Sequence, residues 1–217
     1  MSYSTIIFDL DGTLLNTLQD LKNALNFAMN KMGYPERTLN EVRNFVGNGI
    51  SLLVKRAVPE GTSENDFQKA LDIFMGYYSE HLSDCTRPYE GVTELAEKLK
   101  IQGKKLAIIS NKTDDAAQNV VNHFFGGLFQ LVVGKRDDLP SKPAPDSVYY
   151  VMEKLNCEKS DCIYIGDSEV DVQTAHNADL PCIGVTWGYR DRDVFVSHNA
   201  EYIADTTDEI LTIINGG

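Results

Sequence analysis

The sequence predicts an α/β protein, a doubly wound parallel sheet carrying an inserted all-helical domain. Three observations lead there. Short apolar runs alternate with helical periods over most of the chain, a rhythm that calls for right-handed crossovers between parallel strands. The stretch from Leu15 to Arg87 breaks that rhythm and holds helical stripes only. Acids, hydroxyls and lysines stand just past the strand-like runs, where open α/β sheets bind ligands.

Thr5-Ile6-Ile7-Phe8-Asp9-Leu10 is an apolar run stopped by acids and Gly12, the pattern of a buried strand. The helical stretch follows directly. Its stripes are Leu18, Leu21, Leu25, Ala28 and Met32, then Ile50, Leu53, Val54 and Ala57, then Phe67, Ala70, Leu71, Phe74 and Tyr78. Thr38-x-x-Glu41 and Ser63-x-x-Asp66 are the patterns that start two of its helices. Pro88 and Gly91 mark the return of the chain. Residues 1–14 and 88–217 are therefore assigned to the sheet core and 15–87 to the helical insert.

In the core, Val92, Leu95, Ala96 and Leu99 form a helical stripe ending before Gly103. A strand over Lys105–Ser110 comes next, then a helix with Ala116, Ala117, Val120, Val121 and Phe124 inward, then a strand over Leu128–Val133. Val148, Tyr149, Met152 and Leu155 predict another helix. Further strands are expected at Cys162–Ile165 and Cys182–Val185, with a weaker one at Tyr202–Ala204.

The 217 residues are 42% hydrophobic and 24% charged, a globular composition. Net charge is -12, a field that repels polyanions and argues against nucleic-acid binding. No apolar run approaches the ~20 residues of a membrane helix. Met1-Ser2-Tyr3-Ser4 leads straight into a strand-like run, and Cys85, Cys157, Cys162 and Cys182 lack metal-ligand spacing. Reduced thiols in the cytoplasm, packed as small apolar side chains, are the expectation.

Four motifs fall at strand ends. The first strand ends Asp9-Leu10-Asp11-Gly12-Thr13, and strand alternation sets Asp9 and Asp11 on one side. The second ends Ser110-Asn111-Lys112, Lys142-Pro143 follows the third, and Gly166-Asp167-Ser168-Glu169-Val170-Asp171 ends the fourth. Taken singly, each has a plain structural explanation, such as a turn, a helix cap or a solvated lysine. Taken together, Asp9, Asp11, Asp167 and Asp171 would repel one another unless a cation sat among them. Magnesium, Mg2+, is the natural hard ion. Lys142 adds positive charge, and the hydroxyls of Thr13 and Ser110 suit phosphoryl oxygens. Such an inventory matches phosphoryl transfer, in which positioning and charge neutralisation do most of the catalysis.

The set Asp9-x-Asp11-Gly-Thr13, Ser110, Lys142 and Gly166-Asp167-x-x-x-Asp171 resembles the four motifs of the haloacid dehalogenase superfamily, whose core is Rossmann-like. The resemblance implies that Asp9 is a nucleophile forming an aspartyl-phosphate and that Asp11 is the general acid and then base. It implies a magnesium site of Asp9, the Asp11 carbonyl and Asp167, with Asp171 supporting the metal or orienting Lys142. Lys142, Ser110, Thr13 and the neighbouring Asn111 would bind the phosphoryl group. Dehalogenases of the superfamily lack an acid at the position of Asp11, so a phosphatase or phosphomutase is implied.

The insert takes the place of the superfamily's helical cap. Its segment Val42-Arg43-Asn44-Phe45-Val46-Gly47-Asn48-Gly49-Ile50, with Lys55-Arg56-Ala57, is similar to the cap of phosphoglycolate phosphatases, as is Gly184-Val185-Thr186-Trp187-Gly188-Tyr189. A loop on Gly47, Asn48 and Gly49 would bring amides to a small anion, and Arg43 or Arg56 would pair with its carboxylate. The implied activity is metal-dependent hydrolysis of a small phosphorylated metabolite, with 2-phosphoglycolate first, by a monomer or homodimer with no nucleic-acid or membrane partner. A sugar phosphomutase, a pyrophosphatase or nucleotidase, and a phospho-accepting receiver-type signalling domain are the alternatives. The last fits poorly, since receivers carry their acceptor on the third strand.

Overall fold

The computed structural model describes residues 2–47 and 49–216. The chain divides into two units, one of Met1–Leu15 with Pro88–Gly217 and one of Asn16–Arg87.

The first unit is built on β1 (Thr5–Phe8), whose four residues are all buried. Helix α5 (Val92–Ile101) turns in Val92, Leu95, Ala96 and Leu99 and leads to β4 (Lys105–Thr113), α6 (Asp114–Phe125) and β5 (Leu131–Lys135). Then come α7 (Asp146–Leu155), β6 (Cys162–Gly166), α8 (Glu169–Asn177), β7 (Cys182–Val185), α9 (Arg192–Ser197), β8 (Tyr202–Ala204) and α10 (Thr207–Asn215). The six strands form one sheet in the order β5-β4-β1-β6-β7-β8, with every pair parallel. Its strands are apolar on both faces because helices cover both. From β1 the winding runs outward through β4 to β5 and then restarts on the other side of β1 at β6. Such a reversal opens a crevice at the carboxyl edge.

Register places what stands there. Phe8 pairs with Ile108 on one side and Ile165 on the other, so Asp9, Ser110 and Asp167 all lie one or two residues past the same level of the sheet.

The second unit comprises α1 (Leu18–Met32), α2 (Leu39–Phe45), α3 (Ile50–Ala57) and α4 (Glu64–Glu80). Leu21, Leu25, Ala28, Leu53, Val54, Ala57, Ala70, Phe74 and Tyr78 meet in its own apolar cluster. Thr38 and Glu41 form a capping box on α2, and Ser63 accepts from the Asp66 amide at the start of α4. At the two chain crossings, β2 (Leu15–Asn16) and β3 (Arg87–Pro88) form a two-stranded sheet.

Several sequence expectations shift. The third core strand is Leu131–Lys135 rather than Leu128–Val133, because Phe129 is taken into an aromatic cluster, edge-on to Phe8 and Phe125. In α6 the buried ring is Phe125, not Phe124. Tyr149 is exposed, its hydroxyl donating to the Asn177 carbonyl, while Val151 takes the inward place in α7. Among the cysteines, Cys85 is exposed rather than packed inside.

Candidate active site

Asp9 leaves β1 directly into the carboxyl edge, its amide donating to the Ile165 carbonyl at 2.8 Å. The Lys142 ammonium lies 2.7 Å from Asp9 Oδ1 and 2.7 Å from Asp171 Oδ1. The Lys142 side chain is only 4% exposed, so both contacts work at low dielectric, where a charge-assisted bond is strong. The other oxygen of Asp171 accepts from the Ser168 amide (3.1 Å) and hydroxyl (2.6 Å). One carboxylate thus caps α8 and orients the lysine, and both of its oxygens have partners. Asn111 acts on the same lysine. Its Oδ1 accepts from the Lys142 amide at 3.0 Å and its Nδ2 donates to the Lys142 carbonyl at 3.2 Å.

Asp167 is held from two sides. Thr13 Oγ1 donates to its Oδ1 at 3.2 Å, and the Tyr189 amide to its Oδ2 at 2.7 Å. The Trp187 indole donates to the Thr13 carbonyl at 3.0 Å. Close approach here depends on glycine. A Cβ on Gly12, whose φ is +96°, would fall 2.2 Å from Asp167 Oδ2, and one on Gly188 would fall 2.3 Å from Asp167 Cβ.

Asp9, Asp167 and Asp171 each offer a carboxylate oxygen within 4.8 Å of the others. Burial first, and then the Asp171 charge, push Asp9 well above the usual carboxylate range, against the pull of Lys142. The same causes raise Asp167 to about 7, opposed by the Tyr189 amide. Burial alone would lower the Lys142 ammonium, but Asp171 and Asp9 hold it well above its ordinary value. Asp11 is part-exposed, with the Lys112 ammonium 3.3 Å from its Oδ1. Four carboxylates therefore face two ammonium groups. Fully ionised, they leave two negative charges, the balance of one divalent cation. The donor set is all oxygen, which suits a hard ion such as magnesium.

The core positions named from sequence thus meet at one edge: Asp9, Asp11, Thr13, Ser110, Asn111, Lys142, Asp167 and Asp171. Two do different work from that expected. The Thr13 hydroxyl is bound to Asp167, and the Asn111 amide group is spent on the Lys142 backbone. The insert positions lie in the second unit. Arg43 is half-buried in α2, Gly47 has φ of +137°, and Arg56 Nη1 donates to the Phe45 carbonyl at 2.7 Å. Asn48 lies outside the described residues. Sequence reasoning missed Lys112, for which the available signal was its place two residues after Ser110. It also missed the Tyr189 amide, which no side-chain pattern announces.

A family profile described as "Haloacid dehalogenase-like hydrolase" matches residues 6–185. The chain belongs to this family. Among curated relatives of this hydrolase, "Phosphoglycolate phosphatase" of Haemophilus influenzae (strain 86-028NP) is 31% identical over 98% of each chain. The protein of that name from Pseudomonas putida is 35% identical over 85% of this chain and 70% of its own. Two crystal structures of proteins whose phosphoglycolate phosphatase activity is itself predicted share the fold. That from Lactobacillus delbrueckii subsp. bulgaricus has a TM-score of 0.95 at 33% identity, covering 100% of both chains. That from Haemophilus somnus has 0.91 at 32%, covering 98% of both.

Proposed function

We propose that this hydrolase is a magnesium-dependent phosphomonoesterase that works through an aspartyl-phosphate on Asp9, with 2-phosphoglycolate as its substrate. The observation that carries the chemistry is the Asp9 carboxylate, buried and fixed 2.7 Å from Lys142 inside a cluster of acids. The substrate rests on the relatives of that name at 31–35% identity.

An oxygen of Asp9 attacks phosphorus in line with the ester oxygen. The new bond to Asp9 forms as the bond to the leaving alcohol breaks, and Asp11 delivers a proton to that oxygen. Asp11, now ionised, takes a proton from water, whose oxygen attacks the same phosphorus and releases phosphate and the Asp9 carboxylate. Lys142 holds Asp9 in place and offsets the charge on the phosphoryl oxygens, and the Ser110 hydroxyl hydrogen-bonds one of them. Asp171, Ser168 and Asn111 act one step back, by fixing Lys142. Asp9, Asp167 and the carbonyl of Asp11 would hold the ion, which when bound supplies fixed positive charge against the carboxylates and the phosphoryl group. The free cysteines agree with a reducing compartment such as the cytoplasm.

The test is phosphate release from 2-phosphoglycolate beside sugar phosphates, nucleotides and pyrophosphate, with magnesium and with excess chelator. The expected result is chelator-sensitive release that is fastest from 2-phosphoglycolate. Release no faster than from p-nitrophenyl phosphate rejects the substrate. Conversion of a hexose 1-phosphate to its 6-phosphate without phosphate release rejects hydrolysis in favour of a mutase.

A further inference from the structure

Lys112 is a buried cation that the mechanism above does not use. It stands on β4, where pairing with β5 loses register between Ile109 and Thr113. Such irregularities re-aim side chains beside active sites. Here the Lys112 amide turns back to donate to Ser110 Oγ at 3.1 Å, and its side chain, 3% exposed, brings Nζ to 3.3 Å from Asp11 Oδ1. The two lysines of the site differ. Lys142 makes two contacts of 2.7 Å to Asp9 and Asp171, the length of full charge-assisted bonds. The Lys112 contact with Asp11 is longer, and Asp11 is the more exposed partner, at 19%.

Asp11 marks a direction. As the group that protonates the leaving oxygen, it faces the leaving-group side of the phosphorus, so a cation 3.3 Å from it faces that side too. In 2-phosphoglycolate the leaving group carries its own carboxylate, one carbon removed from the ester oxygen. A buried ammonium attracts such a group strongly and gives nothing comparable to a neutral alcohol. Of the two insert cations named from sequence, Arg43 and Arg56, the latter has a nitrogen engaged by the Phe45 carbonyl.

We propose that Lys112 is the specificity-determining cation of this site, pairing with an anionic group on the leaving alcohol and so selecting phosphate esters of small hydroxy acids. Substrate carboxylate displaces Asp11 from Lys112, which frees Asp11 to reach the ester oxygen. The inference rests on the phosphatase reading and on Asp11 as its acid.

The experiment compares kcat/KM for 2-phosphoglycolate with that for 2-hydroxyethyl phosphate, in which a neutral alcohol replaces the carboxylate. Wild type, Lys112→Met and Lys112→Gln are each measured with both compounds. The ratio of the two values on one preparation does not depend on how much of the protein is folded. Wild type is expected to prefer 2-phosphoglycolate, and both variants to lose roughly 10²-fold in that ratio. A variant that keeps the wild-type ratio overturns the role of Lys112 alone, as does an equal fall on both compounds. A wild type that hydrolyses neither compound overturns the phosphatase reading, and this inference with it.

Discussion

The carboxyl edge of the sheet and the helical unit both contain buried or half-buried charged side chains, and they satisfy them differently. In the helical unit, charge meets mainly backbone. The Arg37 guanidinium donates twice to the Ala57 carbonyl, at 2.8 and 2.5 Å, beside one longer contact of 3.4 Å to Glu41 Oε1, and Arg56 donates to the Phe45 carbonyl. Buried Asp20 accepts from the amides of Cys85 and Thr86 and from the Thr86 hydroxyl, at 2.7–2.9 Å for the shortest bond of each donor. At the sheet edge, charge meets charge. Asp9, Asp171 and Lys142 hold one another, and Asp167 joins the cluster with hydrogen bonds but, among the described residues, no ion pair of its own. A charge on a backbone dipole closes a local account of polar groups and needs nothing more. A buried set with an unbalanced sign is complete only when something else arrives, and that difference separates framework from active site.

The largest expected effect is at Asp9. Asp9→Asn removes the proposed nucleophile and should lower turnover by roughly 10⁴-fold or more while the far-ultraviolet circular dichroism stays native. Activity within tenfold of wild type would erase the distinction drawn between the two regions. Asp11→Asn should slow turnover by roughly 10²–10⁴-fold, the usual worth of a positioned acid–base group. Steady-state kinetics on an alkyl phosphate decide it, and a change smaller than tenfold would give the proton transfer to another group.

Metal-free protein carries the charge imbalance into its stability. Asp167 titrates at about 7 when folded, against 3.8 for an ordinary aspartate, and Asp9 is shifted the same way. Folded protein then keeps protons that unfolded chain has released, so the stability from Asp167 is full below about pH 4 and is lost as pH rises toward 7, and Asp9 acts in the same direction. Magnesium at ~100 times its dissociation constant adds about 2.7 kcal/mol, roughly 5–10 °C in Tm for a chain of this size. Thermal melts should show that gain at pH 8 and a smaller one at pH 5. A flat pH profile with no magnesium effect would mean the cluster is balanced from within. Smallest is Arg56→Ala, which removes one hydrogen bond worth about 1 kcal/mol net and should leave kcat/KM for 2-phosphoglycolate within about threefold. A fall of 10²-fold would move carboxylate recognition from Lys112 to the helical unit.

The fold class was legible because β1, β6 and β7 are unbroken apolar runs and the helix stripes of α1, α3 and α5 keep one period. It blurred where apolar residues serve packing outside their element. Leu128 and Phe129 read as strand, yet Phe129 closes over Phe8. The core site was legible because its chemistry needs particular side chains at strand ends. Its supports were less so. Thr13 and Asn111 look like ligand-binding groups in sequence, but a short polar side chain bonds whatever its neighbours present, and here those are Asp167 and the Lys142 backbone. Asp171 satisfied two readings together, as a helix-capping acid through one oxygen and as the partner of Lys142 through the other. Lys112 has a signal in its place two residues after Ser110, but the direction of its side chain is set by a strand irregularity that this spacing does not show.

The most direct test of the account is to stop the reaction in acid during turnover of a phosphate ester and map the chain by mass spectrometry. The account predicts one phosphoryl group on the peptide carrying Asp9, more of it in Asp11→Asn, where water attack is slowed, and none in Asp9→Asn. Phosphate release with no phosphoryl group on Asp9 in any of these proteins, or a phosphoryl group on another residue, would contradict it.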